Sequence, residues 1–227
     1  MLIRGIGPSL VDLGVDNPLL DPVIELHESG LIAANDNWQD DAAQAALITA
    51  STLPPTNPNE SAMVQTLDPG SYTVIMKGKA DTVGVGLVEI YDLAQGSASE
   101  LANISTRGIV GTNSGVMIGG FILGGTTNDS RVLIRAIGPS LTEQDVSDAL
   151  PDPTLELHGQ NGDKLVSNDN WQDDSDQAAK ITASGVAPTN PLESAIYAEL
   201  PPGNYTAVVA GKDGATGVAL VEVYHLP

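Results

Sequence analysis

The chain carries the same stretch of sequence twice. Leu2-Ile3-Arg4-Gly5-Ile6-Gly7-Pro8-Ser9-Leu10 returns as Leu133-Ile134-Arg135-Ala136-Ile137-Gly138-Pro139-Ser140-Leu141. Asp21-Pro22 with Glu25-Leu26-His27 returns as Asp152-Pro153 with Glu156-Leu157-His158. After a two-residue insertion near Gly162, Asn35-Asp36-Asn37-Trp38-Gln39-Asp40-Asp41 returns unchanged as Asn168 to Asp174. Glu60-Ser61-Ala62, Pro69-Gly70-Ser71-Tyr72-Thr73 and Leu87–Tyr91 return at Glu193, Pro202 and Leu220. A duplication of this length requires one structural unit to be built twice. The sequence therefore predicts two modules, residues 1–93 and residues 94–227.

The copies are not equal. Two further strands, around Ala102–Val110 and Val116–Leu123, lie between them with Gly-rich turns on either side, and nothing equivalent precedes Leu2. In one arrangement the unit begins with these strands, the first copy lacks its pair, and the chain belongs to a longer array. In the other, the strands after Tyr91 close the first copy's sheet. Open sheet edges invite pairing with another chain. Neighbouring repeats, or a homo-oligomer formed through such an edge, are therefore expected partners.

Alternation sets the secondary structure. Val23-Ile24-Glu25-Leu26-His27 places Ile24 and Leu26 on one face and Glu25 and His27 on the other. Tyr72–Lys77 and Leu87–Tyr91 read as strands, the first entered through the Asp68-Pro69-Gly70 corner. The 24 Gly and 15 Pro supply tight turns. One Ala- and Gln-rich stretch per copy, Asp40–Thr49 and Asp173–Thr182, is compatible with a short helix. Strands at roughly ten-residue spacing, separated by turn signals, predict an all-β protein of two antiparallel sandwiches.

Charge and composition narrow the function classes. With 29 acidic and 9 basic residues the formal charge is −20. This repels phosphate backbones, so no nucleic-acid partner is expected. No run is long and apolar enough to insert in a membrane, and Met1 leads straight into a strand, so no signal peptide is expected. The absence of Cys excludes disulfides, thiolate metal sites and a cysteine nucleophile.

In order, Leu155–His158, Asn161–Val166, the acidic turn Asn168-Asp169-Asn170, Glu193–Ile196, Leu200–Val208 and Gly214–Gly217 resemble the bacterial pre-peptidase C-terminal domain. The pattern covers about 75 residues of each copy. The Gly-Pro-Ser-Leu element, the strands of 101–123 and the longer stretch after each Trp lie outside it. The resemblance implies two tandem jelly-roll-like modules, extracellular or at a bacterial cell surface, calcium-stabilised and non-catalytic.

Calcium takes six to eight oxygens, often from Asp, Asn and backbone carbonyls of one loop plus a remote carboxylate. Asp36, Asn37, Asp40 and Asp41, with Glu60 as the remote ligand, form one candidate Ca2+ set. Asp169, Asn170, Asp173, Asp174 and Glu193 form the second. The competing structural reading is an Asx turn followed by an acid-capped helix N-terminus. Trp38 and Trp171 are core plugs or sugar-stacking platforms. Ser9 and Ser140 lack the Gly-x-Ser-x-Gly context of a nucleophile elbow and read as strand-ending turns. Arg4 and Arg135 are expected to pair with Glu89 and Glu222. His27 and His158 are expected on outward faces; with His225 they lack zinc-ligand spacing.

Three functions remain open at this point. The first is a calcium-binding structural or adhesive module. The second is a calcium-dependent hydrolase of ester or lactone bonds, such as acyl-homoserine lactones, with Asp36, Asp40 or Asp41 as base. The third is a carbohydrate-binding module holding a polysaccharide.

Overall fold

The computed structural model describes residues 1–94, 101–124 and 129–227. The Gly-rich turns expected on either side of the central strands lie partly outside these residues. The chain divides into two compact units, Met1–Glu100 and Leu101–Pro227.

In the second unit, strands β7 (Asn103–Val110) and β8 (Met117–Leu123) precede the repeated elements. These are β9 (Ser130–Ile137), β10 (Pro153–His158), β11 (Lys164–Asn168), α2 (Ser175–Ala183), β12 (Ser194–Leu200), β13 (Gly203–Gly211) and β14 (Gly217–Leu226). They form two four-stranded antiparallel sheets, ordered β12-β9-β14-β7 and β11-β10-β13-β8. Successive strands alternate between the sheets except at the β10–β11 hairpin, which is the eight-stranded jelly-roll order. The core is one continuous cluster drawn from both sheets, including Val110, Met117, Phe121, Ile134, Leu155, Ala207 and Val221.

The first unit repeats this plan without the leading pair. Its elements are β1 (Leu2–Ile6), β2 (Pro22–His27), β3 (Leu31–Asn35), α1 (Ala42–Ala50), β4 (Ser61–Val64), β5 (Thr73–Gly78) and β6 (Leu87–Tyr91). Its sheets have three strands each, β4-β1-β6 and β3-β2-β5. β5 and β6 therefore stand at the ends of their sheets, where β13 and β14 are flanked by β8 and β7. The strands of 101–123 complete the second unit's sheets.

β1 and β9 do not alternate in polarity because both of their faces are covered. Ile3 packs toward Ile24, Leu26 and Met63 between the sheets. Leu2 packs on the other face against Trp38 and Ile48 of α1. Leu133, Trp171 and Ile181 repeat that layer. The helices also shield a sheet edge. Gln44 Oε1 accepts from Val64 N at 2.8 Å, and Asn35 Oδ1 accepts from Ala62 N at 2.8 Å. Gln177 and Asn168 do the same for Tyr197 N and Ala195 N at 3.0 and 2.9 Å. The outer edge of β4 and of β12 is thus satisfied by side chains, which discourages further strand pairing there. No helix among the described residues is long and apolar enough to cross a membrane.

Candidate functional site

The Gly-Pro-Ser element folds as a short 3-10 turn, Pro8–Leu13, entered through Gly7. A Cβ at Gly7 would lie 1.9 Å from the Leu19 carbonyl oxygen, so only glycine fits. The turn's free N–H groups are met by Glu60, which is fully buried. Its Oε1 accepts from Gly7 N at 3.3 Å, Ser9 N at 3.0 Å and the Ser9 hydroxyl; its Oε2 accepts from Asn57 N at 3.2 Å. Glu193, equally buried, makes the same four bonds to Gly138 N, Ser140 N, the Ser140 hydroxyl and Asn190 N. A carboxylate placed this way neutralises the unpaired N–H groups of a helical turn. It also holds the serine hydroxyl as a donor.

The acidic turns follow the structural reading in most positions. Asp41 caps α1, its Oδ1 accepting from Ala43 N at 2.8 Å and Gln44 N at 2.9 Å. Asp174 caps α2 likewise, at 2.9 Å to Asp176 N and Gln177 N. Asn37 donates to Asp40 Oδ2 at 3.1 Å, and Asn170 to Asp173 at 3.2 Å. Trp38 N and Trp171 N donate to the carbonyls of Glu60 and Glu193 at 2.9 Å, tying each turn to the strand that follows. Both indoles are 8% exposed. They plug the layer beneath the helix and present no ring for a sugar to stack on.

Asp36 turns away from these residues. Its Oδ2 meets Lys79 Nζ at 2.6 Å, and Asp21 lies 3.6 Å from the same ammonium. Lys212 repeats the arrangement with Asp169 at 2.7 Å and Asp152 at 3.6 Å. The hydrogen bond to Asp36 raises the Lys79 pKa above its ordinary value, and that to Asp169 does the same for Lys212. The remaining oxygen, Oδ1, of all four aspartates is buried without a protein partner among the described residues. Asp21, Asp152 and the two lysines were not singled out from the sequence. A signal was present: of the nine basic residues, only the Arg4/Arg135 and Lys79/Lys212 positions recur. In so acidic a chain, a repeated cation marks a repeated anion pair.

The two candidate calcium sets are therefore dispersed. Asp36 faces a lysine, Asp41 faces a helix, Asp40 faces Asn37 and Glu60 faces the Gly-Pro-Ser turn; the second set divides the same way. Among the described residues no three His, Asp or Glu side chains are grouped to hold a metal ion. As placed, these residues do not fit calcium's demand for six to eight oxygens.

Arg4 and Arg135 pair as expected. Arg4 Nε donates to Glu89 Oε2 at 2.9 Å and Nη1 to the Leu53 carbonyl at 2.8 Å. The Tyr91 hydroxyl donates to Glu89 Oε1 at 2.7 Å, with the guanidinium 5.3 Å from the centre of its ring. Arg135, Glu222, Tyr224 and the Val186 carbonyl repeat the cluster. Burial, then the neighbouring glutamate, raises both tyrosine pKa values. His27 and His158 lie on outward faces beside Glu25 and Glu156, at 3.2 and 2.9 Å.

A cleft of about 190 Å³ in the first unit is bordered by Arg4, Ser9, Leu13, Pro54, Leu87 and Glu89. Pockets for drug-sized ligands span about 300–1,000 Å³. Ser9 is the only hydroxyl nucleophile candidate singled out from the sequence that reaches it. That serine is bonded to a glutamate oxygen already accepting from two N–H groups, and no histidine lines the cleft to act as base.

The fold and these contacts define an all-β protein of jelly-roll sandwich modules. No protein-family model matches the chain, and no curated protein matches it in sequence. Among solved structures it is similar to the pre-peptidase C-terminal domain of a collagenase from Bacillus anthracis, at 13% identity and a TM-score of 0.33, over 53% of this chain and 88% of that one. It is also similar to VP2 of infectious bursal disease virus, at 12% identity and a TM-score of 0.22, over 92% of this chain and 57% of that one. Likeness this distant says nothing of function.

Proposed function

We propose that the chain is a non-catalytic structural or adhesive repeat module of an exported bacterial protein, and that its recurring acidic constellations lock loops in place. One observation carries this reading. The chemically distinctive groups, namely the glutamate on the Gly-Pro-Ser turn, the aspartate cap and the Asp–Lys–Asp bridge, recur on equivalent partners in both units. The first two spend their hydrogen bonds on the chain itself. Ser9 and Glu60 both border the cleft, but the serine hydroxyl is tied to the glutamate and the glutamate to turn N–H groups, which leaves neither poised as a nucleophile or base. The extracellular placement rests on the sequence resemblance to pre-peptidase C-terminal domains and on the acidity of the chain.

Turnover assays on aryl esters and acyl-homoserine lactones, with and without calcium, are expected to give no rate above background. A rate abolished by Ser9→Ala or Asp36→Ala in a variant that stays folded would replace this reading with the hydrolase. Pull-down on insoluble polysaccharides is expected to fail, since neither Trp is offered to a sugar.

A further inference from the structure

The two units solve the same edge problem differently. In the second, β14 pairs with β7 from Gly217↔Val110 to Tyr224↔Asn103, and β13 pairs with β8 from Gly203↔Leu123 to Val209↔Met117. The inward side chains of this pair, Val110, Met117 and Phe121, join the core, and Phe121 stacks on Tyr205 at 5.5 Å. Tyr205, Ala207 and Val209 are buried as a result. In the first unit the equivalent Tyr72, Val74 and Met76 are only half-buried, and Ile75, Val85 and Leu87 are 44%, 49% and 41% exposed. The buried core between its sheets is a small cluster of Ile3, Ile24, Leu26 and Met63. Both open edges lie where the second unit carries β8 and β7.

We infer that the open ends of β5 and β6 are a docking site for a β7–β8-type strand pair, a segment outside residues 1–94 that adds one antiparallel strand to each sheet. The second unit supplies the template. With the offset that relates Leu87 to Leu220, an incoming Met sits opposite Met76, a Gly opposite Val74 and an aromatic ring opposite Tyr72. A serine at the position of Ser105, which donates to Glu222 Oε1 at 3.3 Å, reaches Glu89 beside the cleft. Charge selects this occupant over a second first unit docking edge to edge. Residues 1–94 hold 13 acidic and three basic side chains, whereas Leu101–Leu123 holds one Arg and no acid. Strand addition of this kind draws affinity from the backbone and specificity from alternate side chains.

The test uses the full chain and a synthetic peptide of Leu101–Leu123, with a second form in which that segment is fused ahead of Met1 through a flexible linker. Hydrogen exchange is read segment by segment. Slowing of the amides of Thr73–Gly78 and Leu87–Tyr91 by on the order of tenfold or more is expected, together with a higher melting transition for the first unit. Charging the inward side, Met117→Asp with Phe121→Asp in the added segment, should abolish the effect. Charging the outward Ile118 and Ile122, which are 59% and 71% exposed in the second unit, should not. Unchanged exchange in both peptide and fusion overturns the inference. So does equal slowing by the inward-charged segment, or a free chain that is already a dimer with these amides protected.

Discussion

Gly5 and Ala136 occupy the same place in the two units, and their surroundings explain the difference. A Cβ at Gly5 would sit 2.6 Å from Ile24 Cγ2 and 2.6 Å from Ser61 Oγ. In the second unit Leu155, with no β-branch, replaces Ile24, and Ser194 Oγ turns to the carbonyls of Pro153 and Asp169 at 2.6 and 2.5 Å. Among the described residues Ser61 Oγ is buried without a hydrogen-bond partner. Gly5→Ala alone is expected to cost about 1–3 kcal/mol by overpacking, and Ile24→Leu added to it should recover most of that loss. Chemical denaturation of the four-member cycle measures the coupling; additive losses would show that the two sites do not share the space. Glu193→Ala is expected to cost the second unit about 3 kcal/mol, since it strands the N–H groups of buried Gly138 and half-buried Ser140. Asp41→Ala, which removes a cap, should cost about 1 kcal/mol. His158 titrates with a raised pKa, caused first by its bond to the Gly162 carbonyl and then by Glu156. Its contribution is complete below the ordinary value of 6.5 and fades as pH rises through the folded value. Glu156 is lowered, chiefly by Lys164, so its contribution is complete above 4.5 and fades as pH falls through its folded value. The cluster is thus strongest between these limits. An NMR midpoint for His158 at or below 6.5 would contradict this.

At the scale of elements, much was legible in the sequence. Alternation marked β2, β5 and β6, and the central strands fell within a residue or two of their predicted bounds. β3 was not predicted: Leu31-Ile32-Ala33-Ala34-Asn35 has no alternation, because it is a hairpin edge with exposed Leu31 and Ile32. The Gly-Pro-Ser turn was expected, but not the buried glutamate that organises it, since pairing across 51 residues leaves no local trace. The acidic turn carried two readings because capping and calcium coordination draw on the same residue types. Only the location of Lys79 and Lys212 shows where Asp36 and Asp169 turn. The helices are short, and α1 carries little amphipathic patterning beyond Ile48; Gln44 and Gln177 tie them to the β4 and β12 edges. Gln44→Ala is expected to fray that edge and accelerate exchange of the Val64 amide; unchanged exchange would mean the edge is held otherwise.

At the scale of the whole molecule, the duplication gives two units of unequal completeness. The second has eight strands around a large inter-sheet core; the first has six around a small one. The apolar area that Val110, Met117 and Phe121 bury in the second unit has no counterpart in the first, so the first is expected to unfold at the lower temperature. The central claim is that the repeated acidic groups lock loops by bonding to the protein itself. Thermal unfolding of the full chain, recorded in excess chelator and again in excess calcium, tests it most directly. Both transitions are expected at unchanged temperatures in the two conditions. A fall of either transition in chelator, restored by calcium, would contradict the claim and return these carboxylates to the role of metal ligands.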